Sequence, residues 1–255
     1  MEKKMTFNDD AENYDKYRPG YPDELFDDIM HYFGNSVYKA MEIGAGSGQA
    51  TQWFAGQGIY TIAMDIGKNM VNFLSVKFQN YSNIKCVCSS FEDYKTDGER
   101  FDLVYSATAF HWLDCGQALP KIKSILNSNG IIALFWNHPF VGRKNDTVHN
   151  AIRKIYDKYR PDDKTPQEFS DRDTDKYKSL LSDSGFKDVK AKLYCRERTL
   201  TADEYICLLN TYSDHRILPV EIKTDFENEI YNAIKNNGNE IRVYDTIDLY
   251  LGRKS

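Results

Sequence analysis

The chain has 255 residues, with 33 Lys and Arg against 38 Asp and Glu for a net charge of −5. That length can bury a substantial core in one enlarged domain or two small ones, and the acidic balance without a long basic block argues against a nucleic-acid partner held mainly through phosphates. No apolar run approaches the roughly 20 residues that span a bilayer, and Met1-Glu2-Lys3-Lys4 leads into polar residues rather than an apolar signal core, so a soluble, cytoplasmic protein with no membrane partner is expected.

The first segment is polar yet rich in aromatic residues, with Phe7, Tyr14, Tyr17 and Tyr21 around Arg18-Pro19-Gly20. A disordered tail has little use for them, which leaves a helix stapled to the surface by its tyrosines or a cover over a pocket. From Pro22-Asp23-Glu24, the spacing of Leu25, Phe26, Ile29, Met30 and Phe33 predicts a helix that stops near Gly34.

Tyr38 to Ile43 then reads as a buried strand meeting three glycines spaced by two, Gly44, Gly46 and Gly48, with helix-compatible Gln49 to Ala55 behind them. Glycine is needed where the backbone takes positive φ or where a ligand lies against bare main chain. A phosphate-binding loop would require Lys-Ser/Thr after its last glycine, and Gly48 is followed by Gln49-Ala50. A dinucleotide fingerprint would require Gly or Ala where Gln49 stands. What remains is an acid two places before a Gly-x-Gly-x-Gly turn. Glu42-Ile43-Gly44-Ala45-Gly46-Ser47-Gly48 resembles motif I of the class I S-adenosylmethionine-dependent methyltransferases, in which the turn lies beside the amino-acid end of the cofactor.

Next, Ile59 to Met64 reads as a second buried strand, with Asp65 at its carboxyl end 17 residues beyond Gly48. Nucleoside-binding doubly wound folds place an acid about 20 residues on, where its oxygens accept both ribose hydroxyls. An amphipathic helix over 68–78, containing Met70, and a third strand, Ile84 to Cys88, lead to Ser89-Ser90-Phe91. The resemblance puts Ser90 and Phe91 against the adenine. A fourth strand, Phe101 to Ser106, turns into Ala107-Thr108-Ala109-Phe110-His111-Trp112-Leu113-Asp114. This phrase resembles a segment of methyltransferases related to trans-aconitate and quinone-pathway enzymes, where His and Trp face the transferable methyl group. A helix over 116–126 and a fifth strand, Ile131 to Trp136, complete the core.

The charged stretch from Asn137 to about Ser170 carries Ile152, Ile155 and Tyr159 at helical spacing, so a solvated helix with a mobile connector is expected. A short helix from Tyr177 to Leu181, a sixth strand from Phe186 to Cys195, a helical insertion from Thr201 to about Asn236 and a last strand from Ile241 to Tyr250 follow. Cys86, Cys88, Cys115, Cys195 and Cys207 show no metal-binding spacing, so free, mostly buried thiols and no metal are expected.

The expected fold is a doubly wound α/β domain whose seven-stranded sheet has the order 3-2-1-4-5-7-6, the last strand antiparallel, with helices on both faces and a helical insertion before that strand. Residues 1–36 would cover the pocket, 37–137 would bind S-adenosyl-L-methionine, and 138–172 with 200–238 would form a substrate lid. The resemblance implies cofactor contacts at Arg18, Glu42, Gly44, Ala45, Gly46, Gly48, Asp65, Ile66, Met70, Ser90, Phe91, Ser106 and Ala107. It makes His111 and Tyr14 the candidate catalytic groups and Tyr17 and Trp112 candidates for substrate contact, to which the polar and aromatic character of the helical insertion adds Tyr212 and Arg216; Arg18, Arg143 and Arg216 are candidate partners for a carboxylate acceptor. The expected partner is a small molecule met by a monomer or homodimer. A binding protein without transfer activity and an RNA-modifying enzyme stay open as alternatives.

Overall fold

Strands β1 (Lys39–Ile43), β2 (Tyr60–Asp65), β3 (Ile84–Cys88), β4 (Phe101–Ala107), β5 (Leu126–Phe140), β6 (Phe186–Leu200) and β7 (Ile241–Lys254) join in one sheet of order β3-β2-β1-β4-β5-β7-β6. The first five run parallel, and β7 is antiparallel to both β5 and β6. This is the expected order. The computed structural model describes residues 10–34 and 36–254, so Phe7 and the rest of the N-terminal segment before Asp10 lie outside the described residues.

Among the described residues ten α-helices accompany the strands: α1 (Ala11–Tyr17), α2 (Asp23–Phe33), α3 (Thr51–Gly56), α4 (Lys68–Lys77), α5 (Cys115–Ile125), α6 (Thr147–Tyr159), α7 (Asp175–Asp183), α8 (Ala202–Leu209), α9 (Ser213–Arg216) and α10 (Val220–Lys235). Alternation along the central strands divides the core. Met41, Ile43 and Val104 pack toward α5 through Leu119 and Ile122, and toward α7 through Leu181. Ala40, Leu103 and Tyr105 face the other way, toward Leu25, Phe26 and Ile29 of α2 and Phe54 of α3. Fully burying each of these large side chains is worth about 1.5 to 3 kcal/mol. None of the helices among the described residues is long and apolar enough to cross a membrane.

Three expectations change. The fifth, sixth and seventh strands extend beyond their predicted ends, because β5 and β7 pair continuously from Ile131↔Arg253 to Phe140↔Tyr244 and β6 follows β7 to Leu200. The charged segment after Asn137 is not simply solvated. In α6, Val148, His149, Ile152 and Ile155 are buried, and the three aliphatic residues join α8 and α10 in a third apolar cluster over Ile241 and Val243. The cysteines are free, but Cys88 and Cys195 are exposed and the other three half-buried, since β3 and β6 are the two edges of the sheet.

Candidate functional site

The carboxyl ends of β1, β2 and β4 enclose a cavity of about 240 Å³, and the glycine turn after β1 forms its floor. Gly44, Gly46 and Gly48 all have positive φ, at 74°, 56° and 89°. A Cβ at Gly44 would lie 2.4 Å from that of Ala109, and one at Gly48 would lie 2.6 Å from the Phe78 ring. Packing therefore demands glycine at both. Gly46 has only the Tyr14 ring near it, at 3.7 Å, and lies open to the cavity.

Asp65 ends β2 beside this turn. Its Oδ2 accepts the Gly46 N–H at 2.9 Å and its Oδ1 accepts that of Gly67 at 2.8 Å. Burial pushes its carboxyl up, while these backbone donors act in the opposite direction. Each oxygen keeps a second lone pair, enough to accept one of two neighbouring hydroxyls. Beyond it, Ile66, Met70, Ser90 and Phe91 form the less polar end of the cavity. Lys121 fixes the Phe91 segment by donating to the carbonyls of Phe91, Glu92 and Tyr94. The Ser90 hydroxyl is already committed to Asp93, at 2.6 Å.

A smaller annex of about 40 Å³ shares Tyr14, Arg18, Gly44 and Gly46 with the main cavity and adds Glu42, Tyr21 and Asn137. Glu42 is buried on the α3 side of β1, where its Oε2 accepts from Thr51 at 2.5 Å and Tyr105 at 2.9 Å. Its Oε1 is buried without a partner. Burial raises the carboxyl to about 7 despite those two donors.

α1 is bolted over the opening. Lys77 ties Asp15 (2.6 Å) to the Ser47 carbonyl (3.0 Å), while Asn13 reaches the Cys207 carbonyl at 3.3 Å. Arg18 donates to the Thr211 carbonyl at 3.1 Å, and its guanidinium lies 5.1 Å from the Tyr14 ring centroid and 4.4 Å from that of Tyr212. Its Nε is buried and unpaired. A positive group with a spare donor and a buried carboxylate oxygen with a spare acceptor thus stand at the same end of the cavity.

The opposite wall comes from the turn after β4. Thr108 is β-branched yet sits at φ 54°, a costly conformation. Bonds from Thr108 N to the Phe135 carbonyl (2.7 Å) and between its hydroxyl and that of Tyr21 (2.7 Å) hold it there. The chain reverses into Phe110-His111-Trp112, burying Phe110 and leaving His111 and Trp112 at the mouth. The indole of Trp136 donates to His111 Nδ1 at 3.0 Å. Burial lowers the His111 pKa, with the nearby Lys176 charge acting the same way.

Of the residues singled out in the sequence, Tyr14, Arg18, Gly44, Gly46, Asp65, Ile66, Met70, Ser90, Phe91, Ala107, His111, Trp112 and Tyr212 line the main cavity, and Glu42 and Ala45 line the annex. Five stand elsewhere. Gly48 packs on Phe78, and the buried Ser106 donates to the Ile43 carbonyl at 2.8 Å. The Tyr17 ring lies beneath the Lys16 ammonium, and Arg216 closes α9 outside the lining. Arg143 is also remote, paired with Glu168 at 2.6 Å. Sequence reasoning missed Thr108, Asn137 and Asp214 and gave Tyr21 no role beyond the N-terminal aromatic cover; the loop composition after the fourth strand signalled Thr108 alone.

The model of a methyltransferase domain matches residues 41–134, which carry the glycine turn, Asp65 and the His111 turn. An uncharacterised methyltransferase-like protein of Schizosaccharomyces pombe is 30% identical over 234 residues, 90% of this chain and 86% of its own. A second uncharacterised methyltransferase of that yeast is 29% identical over 237 residues, 90% and 87% of the two chains. Among solved structures, a chain assigned as a type II methyltransferase from Anaeromyxobacter dehalogenans superposes with a TM-score of 0.63 at 19% identity, over 93% of this chain and 98% of its own. Phosphoethanolamine N-methyltransferase 2 of Haemonchus contortus, in complex with S-adenosyl-L-methionine, superposes at 0.55 with 14% identity, over 97% and 57%. These two likenesses are of fold.

Proposed function

The chain belongs to the class I S-adenosylmethionine-dependent methyltransferases, and from that premise we propose that it transfers the methyl group of S-adenosyl-L-methionine to a small-molecule acceptor by in-line displacement. The observation that carries the reading is that one cavity and its annex gather the Gly46 turn, the Asp65 carboxylate, Arg18 Nε and Glu42 Oε1 opposite the His111-Trp112 wall. The two unpaired buried atoms fit an amino acid's carboxylate and ammonium. The spare lone pairs of Asp65 fit ribose, and Ile66, Met70 and Phe91 fit a flat base.

When bound, the cofactor supplies a methyl group already activated by a positively charged sulfur. What is left to the protein is alignment and exclusion of water, and alignment alone can be worth about 7 to 11 kcal/mol. Arg18 and Glu42 would hold the amino-acid end and Asp65 the ribose. Trp112 and Tyr14 shut out solvent. His111 donates a hydrogen bond from Nε2 that orients the acceptor. α1 with residues 138–172 and 200–238 acts as the lid. A base is dispensable for an acceptor that is already nucleophilic, and for a phenol the candidate is Tyr14.

The test is incubation with methyl-labelled S-adenosyl-L-methionine and separate panels of phenols, amines, carboxylates and bulk RNA. Label entering one small-molecule class is expected. Label entering RNA alone, or cofactor binding with no transfer to any panel, would contradict the reading.

A further inference from the structure

Behind Tyr212 and Asp214 lies a second cavity of about 300 Å³. Both residues also line the cofactor-side cavity, so the two spaces are separated by the thickness of one short segment, the start of α9. Its walls are apolar or aromatic: Ile152 and Tyr156 from α6, Leu208 and Leu209 from α8, and Val243 from β7. The polar group at depth is His215, only 3% exposed, whose Nε2 meets the Tyr156 hydroxyl at 2.9 Å. His215 Nδ1 is buried with no partner. Burial depresses its pKa to about 4, so the ring is neutral near pH 7.

The charges around this space are already spoken for. Arg160 pairs with Asp214 at 2.9 Å and with Asp163 at 2.7 Å, and Arg153 pairs with Asp157. Lys164 stands at the mouth in solvent. A charged group moved inside would lose its hydration and, among the described residues, meet no free counter-ion deeper than Lys164 at the mouth, a cost of several kcal/mol. An apolar group would gain about 0.8 kcal/mol per buried methylene.

We propose that this cavity holds the uncharged, apolar part of the methyl acceptor, a ring or short alkyl chain carrying one polar atom for His215, while the acceptor's nucleophilic end passes Tyr212 toward the cofactor. The assignment rests on the methyltransferase reading above. It explains why a buried imidazole with an empty nitrogen faces an apolar space that packing alone would fill.

The experiment is calorimetric titration of 4-alkylphenols, methyl through hexyl, into the protein saturated with S-adenosylhomocysteine. Affinity is expected to rise about fourfold per methylene until the cavity is full, the equivalent of about 0.8 kcal/mol. Val141 and Ile152 line this cavity but not the cofactor-side one, so Val141→Phe and Ile152→Phe, which fill it, should abolish the rise and leave S-adenosylhomocysteine affinity unchanged. Replacing the last carbon of 4-pentylphenol by a hydroxyl should cost little in the wild type and at least tenfold in His215→Phe. Affinity independent of chain length in the wild type, or tighter binding of aliphatic dicarboxylates of equal length, would overturn the proposal without any variant. Failure of S-adenosylhomocysteine itself to bind would overturn the underlying reading and is seen before any phenol is added.

Discussion

Trp136 donates its indole N–H to Nδ1 of His111 across 3.0 Å. An indole nitrogen only donates, so this Nδ1 is bare and the neutral ring carries its hydrogen on Nε2. His111 therefore presents a donor to the cavity, not the free lone pair that a general base needs. Replacing it with Gln, which keeps a donor, should hold kcat/KM within about tenfold, whereas His111→Ala should lose about a hundredfold or more, the scale for one lost oriented donor. Equal losses in the two variants, measured with any accepted substrate, would mark a base instead.

Glu42 ties stability to pH in an unusual direction. Its carboxyl is raised to about 7 in the folded chain, chiefly by burial. Between about pH 4.5 and 7 the folded state therefore keeps a proton that the unfolded chain has released. The stabilising contribution is complete below the ordinary glutamate range and is lost as pH climbs through about 7, an effect on the order of 3 kcal/mol. Urea midpoints of cofactor-free protein should fall from pH 5 to pH 8, and Glu42→Gln should flatten that fall. An ammonium placed beside Oε1 would drive the proton off, so S-adenosylhomocysteine binding at pH 6.5 should release about three quarters of a proton.

Gly46 and Gly48 separate ligand contact from packing. At Gly48 a Cβ combines φ 89° with a 2.6 Å approach to the Phe78 ring, so Gly48→Ala should destabilise by about 2 to 4 kcal/mol. At Gly46 the conformation is milder and the Tyr14 ring is 3.7 Å away, so Gly46→Ala should cost about 1 kcal/mol. Its methyl faces the cavity, however, and S-adenosylhomocysteine affinity should drop at least tenfold. Thermal melts beside calorimetry distinguish the two.

The Asp15–Lys77 pair, at 2.6 Å, latches α1 to the glycine turn. Both side chains are about a quarter exposed, at 27% and 23%, so the pair is worth about 1 kcal/mol or less. Asp15→Ala should barely move the melting temperature yet speed release of S-adenosylhomocysteine several-fold in stopped-flow traces, and added salt should mimic it in the wild type.

The sheet order was legible because each parallel strand is a short apolar run punctuated by a helix with its own period. The Glu42, Gly46 and Asp65 positions were legible because their spacing reflects one strand end meeting the next. Side-chain direction was less so. Ser106 lies on the right strand but turns to the Ile43 carbonyl, and Tyr14 and Tyr17, three apart on α1, part company, with Tyr14 over the cavity and Tyr17 under Lys16. Thr108 was invisible as a hinge, since nothing in a β-branched residue announces positive φ; its conformation is imposed by Tyr21 and Phe135, distant in sequence. The burial of α6 was not legible because its charges outnumber its apolar stripe, and the surface that stripe packs against comes from α8, α10 and the Ile241–Val243 end of β7, all distant in sequence.

The most direct test of the account is calorimetric titration of S-adenosylhomocysteine into the pure protein and into Asp65→Ala. Asp65 accepts bonds from Gly46 and Gly67, so a melt of the variant must first show that it still folds cooperatively. The account predicts one-site binding to the wild type and at least a hundredfold weaker binding to the folded variant, the loss of two hydroxyl contacts to a charged acceptor at about 1.5 to 3 kcal/mol each. Equal affinity in both would contradict the placement of the cofactor over Asp65, and no binding to well-folded wild type would contradict the assignment of this cavity to the cofactor.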